Sequence, residues 1–226
     1  MFTDATHIRI NGERGVLYTG DGDRLYVRFG GSVTWRNFNP GALESRGGFS
    51  ERHGAINIIQ RYAVFPDEMI GWNALMALLV GPSYIDLTLW TFVRRYYGSG
   101  PELASYRQAV QRTFPALNLH KVHLRELSSG QLSLLAETIK TQEGWRPGKA
   151  NDMQRVIATR NKSKSDKTLA HFQLEGSGGF ITLASAISQT RQGKIYAVVV
   201  EASTPYLRSF PGSEENFDDI VVPNPS

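Results

Sequence analysis

Between Pro66 and Gly144 the apolar residues recur at helical spacing in four successive segments, and that periodicity constrains the fold more than any other feature of the chain. The first segment runs from Pro66 to Val80, with Met69, Trp72, Leu75, Met76 and Leu79 on one face and Gly81-Pro82 as its stop. A second spans about Asp86 to Tyr97, with Leu89, Phe92, Val93 and Tyr96 inward. Gly98-Ser99-Gly100-Pro101 breaks it and starts a third, which carries Leu103, Tyr106, Val110 and Phe114. The fourth follows Ser128, which has capping-box spacing to Gln131, and points Leu132, Leu135 and Ile139 inward until Gly144 ends it. Four amphipathic helices in a row predict a helical core.

The flanks read differently. His7 to Phe29 alternates apolar and polar residues, with Asn11-Gly12 and Gly20-Asp21-Gly22 as turn signals, and predicts a meander of two or three strands. After Trp145, Arg146-Pro147-Gly148-Lys149 is turn-like, and the next stretch is basic through Arg155, Arg160, Lys162, Lys164 and Lys167. Phe180 to Thr182 and Lys194 to Glu201 read as strands before an acidic run from Glu214 to Asp219. The expected fold class is therefore α+β: a predominantly α-helical core at 33–147, a small β segment at 1–32, and a basic linker with a small β-rich appendage at 148–226.

With 226 residues, 41% of them hydrophobic, the chain buries a full core. It has no cysteine, which excludes disulfides, thiolate-zinc sites and cysteine nucleophiles. No apolar run approaches the roughly 20 residues of a membrane-spanning helix, and the N-terminus lacks the basic start and apolar centre of a secretory signal. A formal charge of +4 suits an anionic polymer as partner. Most basic proteins of this size simply carry a solvated basic surface, and nucleic-acid binding through Arg155 to Lys167 is a remote alternative that predicts a steep salt dependence on DNA. His120 and His123 lack a third ligand at sensible spacing, and Gly176 to Gly179 lacks the Lys-Ser/Thr of a P-loop, so neither a metal nor a cofactor is expected.

Chemistry concentrates between Val33 and Phe65, in a polar, Gly-rich loop braced by apolar residues. Cleavage of a glycosidic bond needs a carboxylic acid to protonate the leaving oxygen and usually a second carboxylate. Glu44 and Glu51 are the candidates, with the alternative that Glu44 pairs with Arg36, Arg46 or Arg52. Trp35, Tyr62 and Trp145 offer faces on which a sugar ring can stack, and His53 stands where it can orient a carboxylate or touch substrate.

These residues carry a resemblance. Trp35-Arg36-Asn37-Phe38-Asn39-Pro40-Gly41, then Glu44, His53-Gly54-Ala55-Ile56 and Tyr62-Ala63-Val64-Phe65-Pro66 resemble the signature WRNNNPGN…E…HGAI…FAVFP. That signature belongs to a lysozyme-like family found in phage particle-associated proteins and in cell-wall-degrading effectors of the type VI secretion system. Tyr84 to Leu89, Arg94 to Tyr97 and Glu143-Gly144-Trp145 extend the likeness across roughly residues 34–145. It implies a lysozyme-like, muramidase-type domain that cuts the glycan strand of peptidoglycan, with Glu44 as the matching acid and Asn37, Asn39, Glu143 and Trp145 among the residues that meet the glycan. Phe38 and Ala42 depart from it, standing where the family usually has asparagine.

The same resemblance implies synthesis in the cytoplasm without a signal peptide and action in the periplasm of a target cell. Delivery would come from secretion machinery or a phage, with an immunity protein as partner. The alternative in another class is a peptidoglycan-binding or structural module without turnover. A fainter resemblance, to ADP-ribosyltransferase toxins, lies in Arg155, Gly178 to Thr182, the strand at Lys194 to Glu201 and the acidic run. Leu183 and Ala184 interrupt its serine motif, and Glu214-Glu215 lacks the spacing of its glutamate pair.

Overall fold

The computed structural model describes residues 1–45, 47–163, 165–210 and 216–224. The chain begins with strands β1 (Phe2–Ile10), β2 (Glu13–Gly20) and β3 (Leu25–Phe29). Two one-turn helices follow, α1 (Val33–Arg36) and α2 (Phe49–Arg52), then the hairpin strands β4 (Asn57–Ile59) and β5 (Tyr62–Val64). Next come α3 (Glu68–Leu79), α4 (Leu89–Tyr97), α5 (Leu103–Thr113) and α6 (Ser129–Gln142). The remainder holds β6 (Lys149–Met153), β7 (Val156–Asn161), β8 (Leu169–Leu174), β9 (Phe180–Thr182), α7 (Leu183–Arg191), β10 (Val198–Val200) and β11 (Tyr206–Arg208).

Among the described residues helix makes up 32% and strand 28%, so the fold is mixed α/β and not, as the periodicity led us to expect, predominantly helical. The physical reason is that helical spacing is confined to the middle of the chain. Outside it, short alternating and β-branched runs pair into four small antiparallel sheets, one of them a hairpin inside the segment expected to be helical.

The chain forms two compact units: Met1–Ala5 with Gly31–Gly148, and Thr6–Gly30 with Lys149–Ser226. In unit 1, α3 to α6 bury Leu75, Leu79, Leu89, Phe92, Val110, Leu135 and Ile139 around one core, with Ala63 and Phe65 of the hairpin side. The helix expected to start at Pro66 starts at Glu68, and Asp67 caps it, its carboxylate accepting from Ile70 N–H at 2.8 Å. Thr88 and Ser128 cap α4 and α6, and Ser128 with Gln131 forms the expected capping box.

Unit 2 holds a three-stranded sheet β7-β8-β9 and β2, β3 and β6 of a four-stranded sheet in the order β1-β2-β3-β6, in which β1 belongs to unit 2 from Thr6 onward. One core gathers Ile10, Leu17, Val27, Phe29 and Met153, and another Phe172, Leu174, Ala186, Ile187 and Leu207. No helix among the described residues is long and apolar enough to cross a membrane.

Candidate functional site

The loop after α1 is sewn to the hairpin by two buried amides. Asn39 Nδ2 donates to the carbonyls of Leu43 (2.9 Å) and Ala63 (3.0 Å), its Oδ1 accepts from Leu43 N–H (2.8 Å), and Asn37 Nδ2 donates to Ala63 (3.3 Å). The two are 1% and 0% exposed, so Asn37 and Asn39 frame the loop rather than touch a glycan. Trp35 is likewise buried, at 8%, and presents little ring to a sugar. Phe38 and Ala42 both sit in the left-handed region, at φ 50° and 48°, where asparagine is far better tolerated than Phe or Ala.

This frame ends at Glu44, which bridges to Tyr62 across the edge of the hairpin. Its carboxylate is 23% exposed and meets Arg61 Nε at 3.2 Å. Arg61 was not among the cations expected there. Arg36 and Arg52 donate to the carbonyls of Gly31 and Gly47, and Arg46 lies outside the described residues. Arg61 also donates to the Tyr62 hydroxyl at 2.7 Å. Because the Arg61 side chain is 69% exposed, its pairing with Glu44 is screened and easily displaced.

Glu51 lies on α2, six residues along from Ser45, whose hydroxyl donates to it; that bond holds its carboxyl below the usual carboxylate range. His53 stacks on Phe49 (centroids 4.1 Å apart), and its Nδ1 faces the Phe49 carbonyl at 2.8 Å. A carbonyl only accepts, so Nδ1 carries a proton in this contact.

Glu143 caps the C-terminal end of α6. Burial pushes its carboxyl up to about 7, opposed by the Tyr106 hydroxyl and reinforced by the like charge of Glu102. Trp145 lies beneath Lys140 Nζ, 4.7 Å from the ring centroid, and Lys140 also pairs with Glu68 at 2.8 Å. Tyr96 and Tyr106, both with hydroxyl pKa values raised by burial, stand beside Glu143, and the Tyr96 hydroxyl donates to the Gly41 carbonyl of the Glu44 loop.

Unit 2 contains a feature that the sequence did not disclose. Arg160 of β7 is directly opposite His171 of β8, and His171 is opposite Thr182 of β9. Opposed residues share a face of a sheet, so the three side chains stand in one row. The neighbouring row, Thr159, Phe172 and Ile181, turns to the other face, where Thr159 and Phe172 are wholly buried. The Arg160 guanidinium packs on Phe180, 3.9 Å from the ring centroid, and its Nε is buried without a hydrogen-bond partner.

Alongside β7 runs the segment carrying Asp218 and Asp219, tied by Thr159 N–H to Ile220 O (3.0 Å) and Val222 N–H to Thr159 O (2.8 Å). Arg155, the arginine singled out from sequence, precedes β7 and lies 5.9 Å from the Tyr196 ring centroid, outside the row. Glu214, Glu215 and Lys164 lie outside the described residues. A cavity of about 600 Å³ opens on the Phe172 side of this sheet, with Lys167 and Arg208 among the residues that line it. Only the strand pairing reveals the row, since Arg160, His171 and Thr182 have no motif spacing in sequence.

His120 stacks on Trp90 (centroids 4.2 Å apart), and His123 pairs with Glu126. No group of three or more His, Asp or Glu side chains able to hold a metal occurs among the described residues. No protein-family model matches the chain, and no characterised protein matches it in sequence.

Proposed function

We propose that unit 1 is a peptidoglycan hydrolase of the muramidase type, with Glu44 donating the proton to the glycosidic oxygen. The observation that carries this reading is the fixing of Glu44. A loop locked by Asn37, Asn39 and Tyr96 holds its carboxyl part-buried at the edge of the β4-β5 hairpin, beside a solvent-exposed arginine. A glycan entering there displaces Arg61, dries the carboxyl and brings it to the leaving oxygen. Tyr62 lines the same edge and Glu51 is the second carboxylate of the reaction. Delivery by secretion machinery or a phage into a target periplasm, with an immunity protein as the matching partner, belongs to the same reading and rests on the resemblance alone.

The test is digestion of purified sacculi by the parent chain and by Glu44→Gln, with released muropeptides identified by mass spectrometry. The amide keeps the shape and removes the proton donor, so a folded variant is expected to lose at least about a hundredfold in rate. Equal rates would remove Glu44 from the mechanism, and binding to sacculi without cleavage by either protein would leave a wall-binding module.

For unit 2 a second reading is favoured by the Arg160–His171–Thr182 row beside the acidic segment. It supports the resemblance to ADP-ribosyltransferases, with Arg160 in place of Arg155 as the matching arginine. In that reaction the bond between nicotinamide and ribose breaks and nicotinamide departs with the electron pair. The acceptor nucleophile then bonds to the ribose carbon and releases its proton. Arg160 would hold phosphate, with Asp218 or Asp219 facing the developing positive charge. Release of nicotinamide from NAD by the parent, reduced at least about tenfold in Arg160→Lys as a bidentate phosphate contact is lost, is the expected outcome; no release by the parent ends this reading.

A further inference from the structure

Glu143 occupies the wrong end of a helix for a carboxylate. The C-terminal end of α6 carries the negative pole of the helix, where a cation is stabilising and an anion is not. Of the side chains around it, only the Tyr106 hydroxyl opposes this, and burial outweighs it. From α4 it meets Tyr96 and Tyr97, from α5 Tyr106, and from the turn before α5 the like-charged Glu102, to which Tyr97 donates. The cation of its own helix, Lys140, is engaged by Glu68 of α3 and by the Trp145 ring. Arg95 and Arg107 lie over Tyr84 and Trp90. The Tyr106 hydroxyl, in a side chain 2% exposed, has no partner in good hydrogen-bond geometry, whereas the Tyr96 hydroxyl is spent on the Gly41 carbonyl.

We propose that Glu143 is a positioning residue for the loop that carries Glu44, acting through Tyr96, and that loss of its proton loosens that loop. While Glu143 is the neutral acid, it competes weakly for tyrosine protons, and Tyr96 gives its own to Gly41. Once ionised, it becomes the strongest acceptor in the cluster, because a hydrogen bond to a carboxylate is roughly twice as strong as one between neutral groups. The tyrosine hydroxyls then turn toward it. Gly41 loses its donor, and the Pro40 to Glu44 segment keeps only the asparagine frame. Burial sets the midpoint of this change near neutrality, at about 7.

The inference rests on the hydrolase reading of unit 1, and the experiment separates the two. The rate of sacculus digestion is measured from pH 5 to 9 for the parent, Glu143→Gln and Glu143→Asp. In parallel, hydrogen exchange is followed at the Ala42 and Leu43 amides, which are bonded to Asn39. The parent is expected to lose about tenfold in rate between pH 6 and pH 8, as a single group of pKa about 7 titrates. Its loop amides should lose protection over the same range after correction for the intrinsic pH dependence of exchange. In Glu143→Gln neither rate nor protection changes across that range, whatever their level, and Glu143→Asp restores the alkaline fall. Tyr96→Phe removes the link and leaves the two amides weakly protected at every pH. A Glu143→Gln variant with the same alkaline limb as the parent, in rate or in exchange, overturns the proposal. If no protein digests sacculi, the hydrolase reading fails while the exchange data still decide whether Glu143 controls the loop.

Discussion

Ala42 and Phe38 show how much of the site is decided by single backbone angles. Both stand where the resembled signature has asparagine, yet nothing in the letters Phe and Ala says that each must adopt a positive φ. Each residue resists the left-handed conformation at a cost of order 1–2 kcal/mol. Phe38 recovers part of this by packing against the core of unit 1, but Ala42 has little side chain with which to do so. Ala42→Gly is therefore expected to stabilise the protein by about 1 kcal/mol, since an alanine at positive φ is strained where glycine is not. A urea unfolding curve followed by tryptophan fluorescence reads the change, and an unchanged or lowered midpoint would show that the loop is not strained there. The amides of Asn37 and Asn39 were visible in the sequence as polar loop residues. Their role as a buried frame was not, because their acceptors lie on a strand some 24 to 26 positions away.

Among the elements, the four helices between Glu68 and Gln142 were legible because a repeated apolar spacing and good caps act over ten or more residues. The β4-β5 hairpin was not, since each strand has three residues and its turn is Gln60-Arg61 rather than an asparagine-glycine pair, with Gln60 at φ 62°. Nor was the pairing of β3 with β6, which joins Phe29 to Lys149 across the whole helical segment. Helix α3 matters to the site through an absence of side chain. A Cβ on Gly71 would lie 1.8 Å from the Phe38 carbonyl oxygen, a backbone atom that cannot turn away. Gly71→Ala must therefore push the helix from the loop, at a cost of about 3 kcal/mol, the upper end of what overpacking a core costs, and with loss of sacculus digestion. The control is Gly130→Ala in α6, where a Cβ meets nothing within 4 Å and helix propensity favours alanine. If both substitutions prove equally harmless, the close approach of α3 to Phe38 is not a structural requirement.

Across the molecule the two units have separate cores, and all four tryptophans, Trp35, Trp72, Trp90 and Trp145, belong to unit 1. Tryptophan fluorescence thus reports the unfolding of the unit that contains Glu143. The sign of its pH dependence follows from proton counting. Between pH 4.5 and about 7 the folded chain keeps the Glu143 proton and the unfolded chain gives it up, so the folded state binds more protons and stability falls as pH rises. Below pH 4.5 both states are protonated and the effect vanishes; above about 7 the loss is complete. A rise from 4.5 to about 7 corresponds to about 3 kcal/mol at about 1.4 kcal/mol per unit. Glu143→Gln, neutral in both states, is accordingly expected to match the parent at pH 4 and to exceed it by up to about 3 kcal/mol at pH 8. Urea midpoints from tryptophan fluorescence at the two pH values provide the comparison. A variant that is less stable than the parent at pH 8 would mean that Glu143 is held as an anion by a partner in the fold, and the tyrosine cluster would then have to be read as a site built to bind that charge rather than to exclude it.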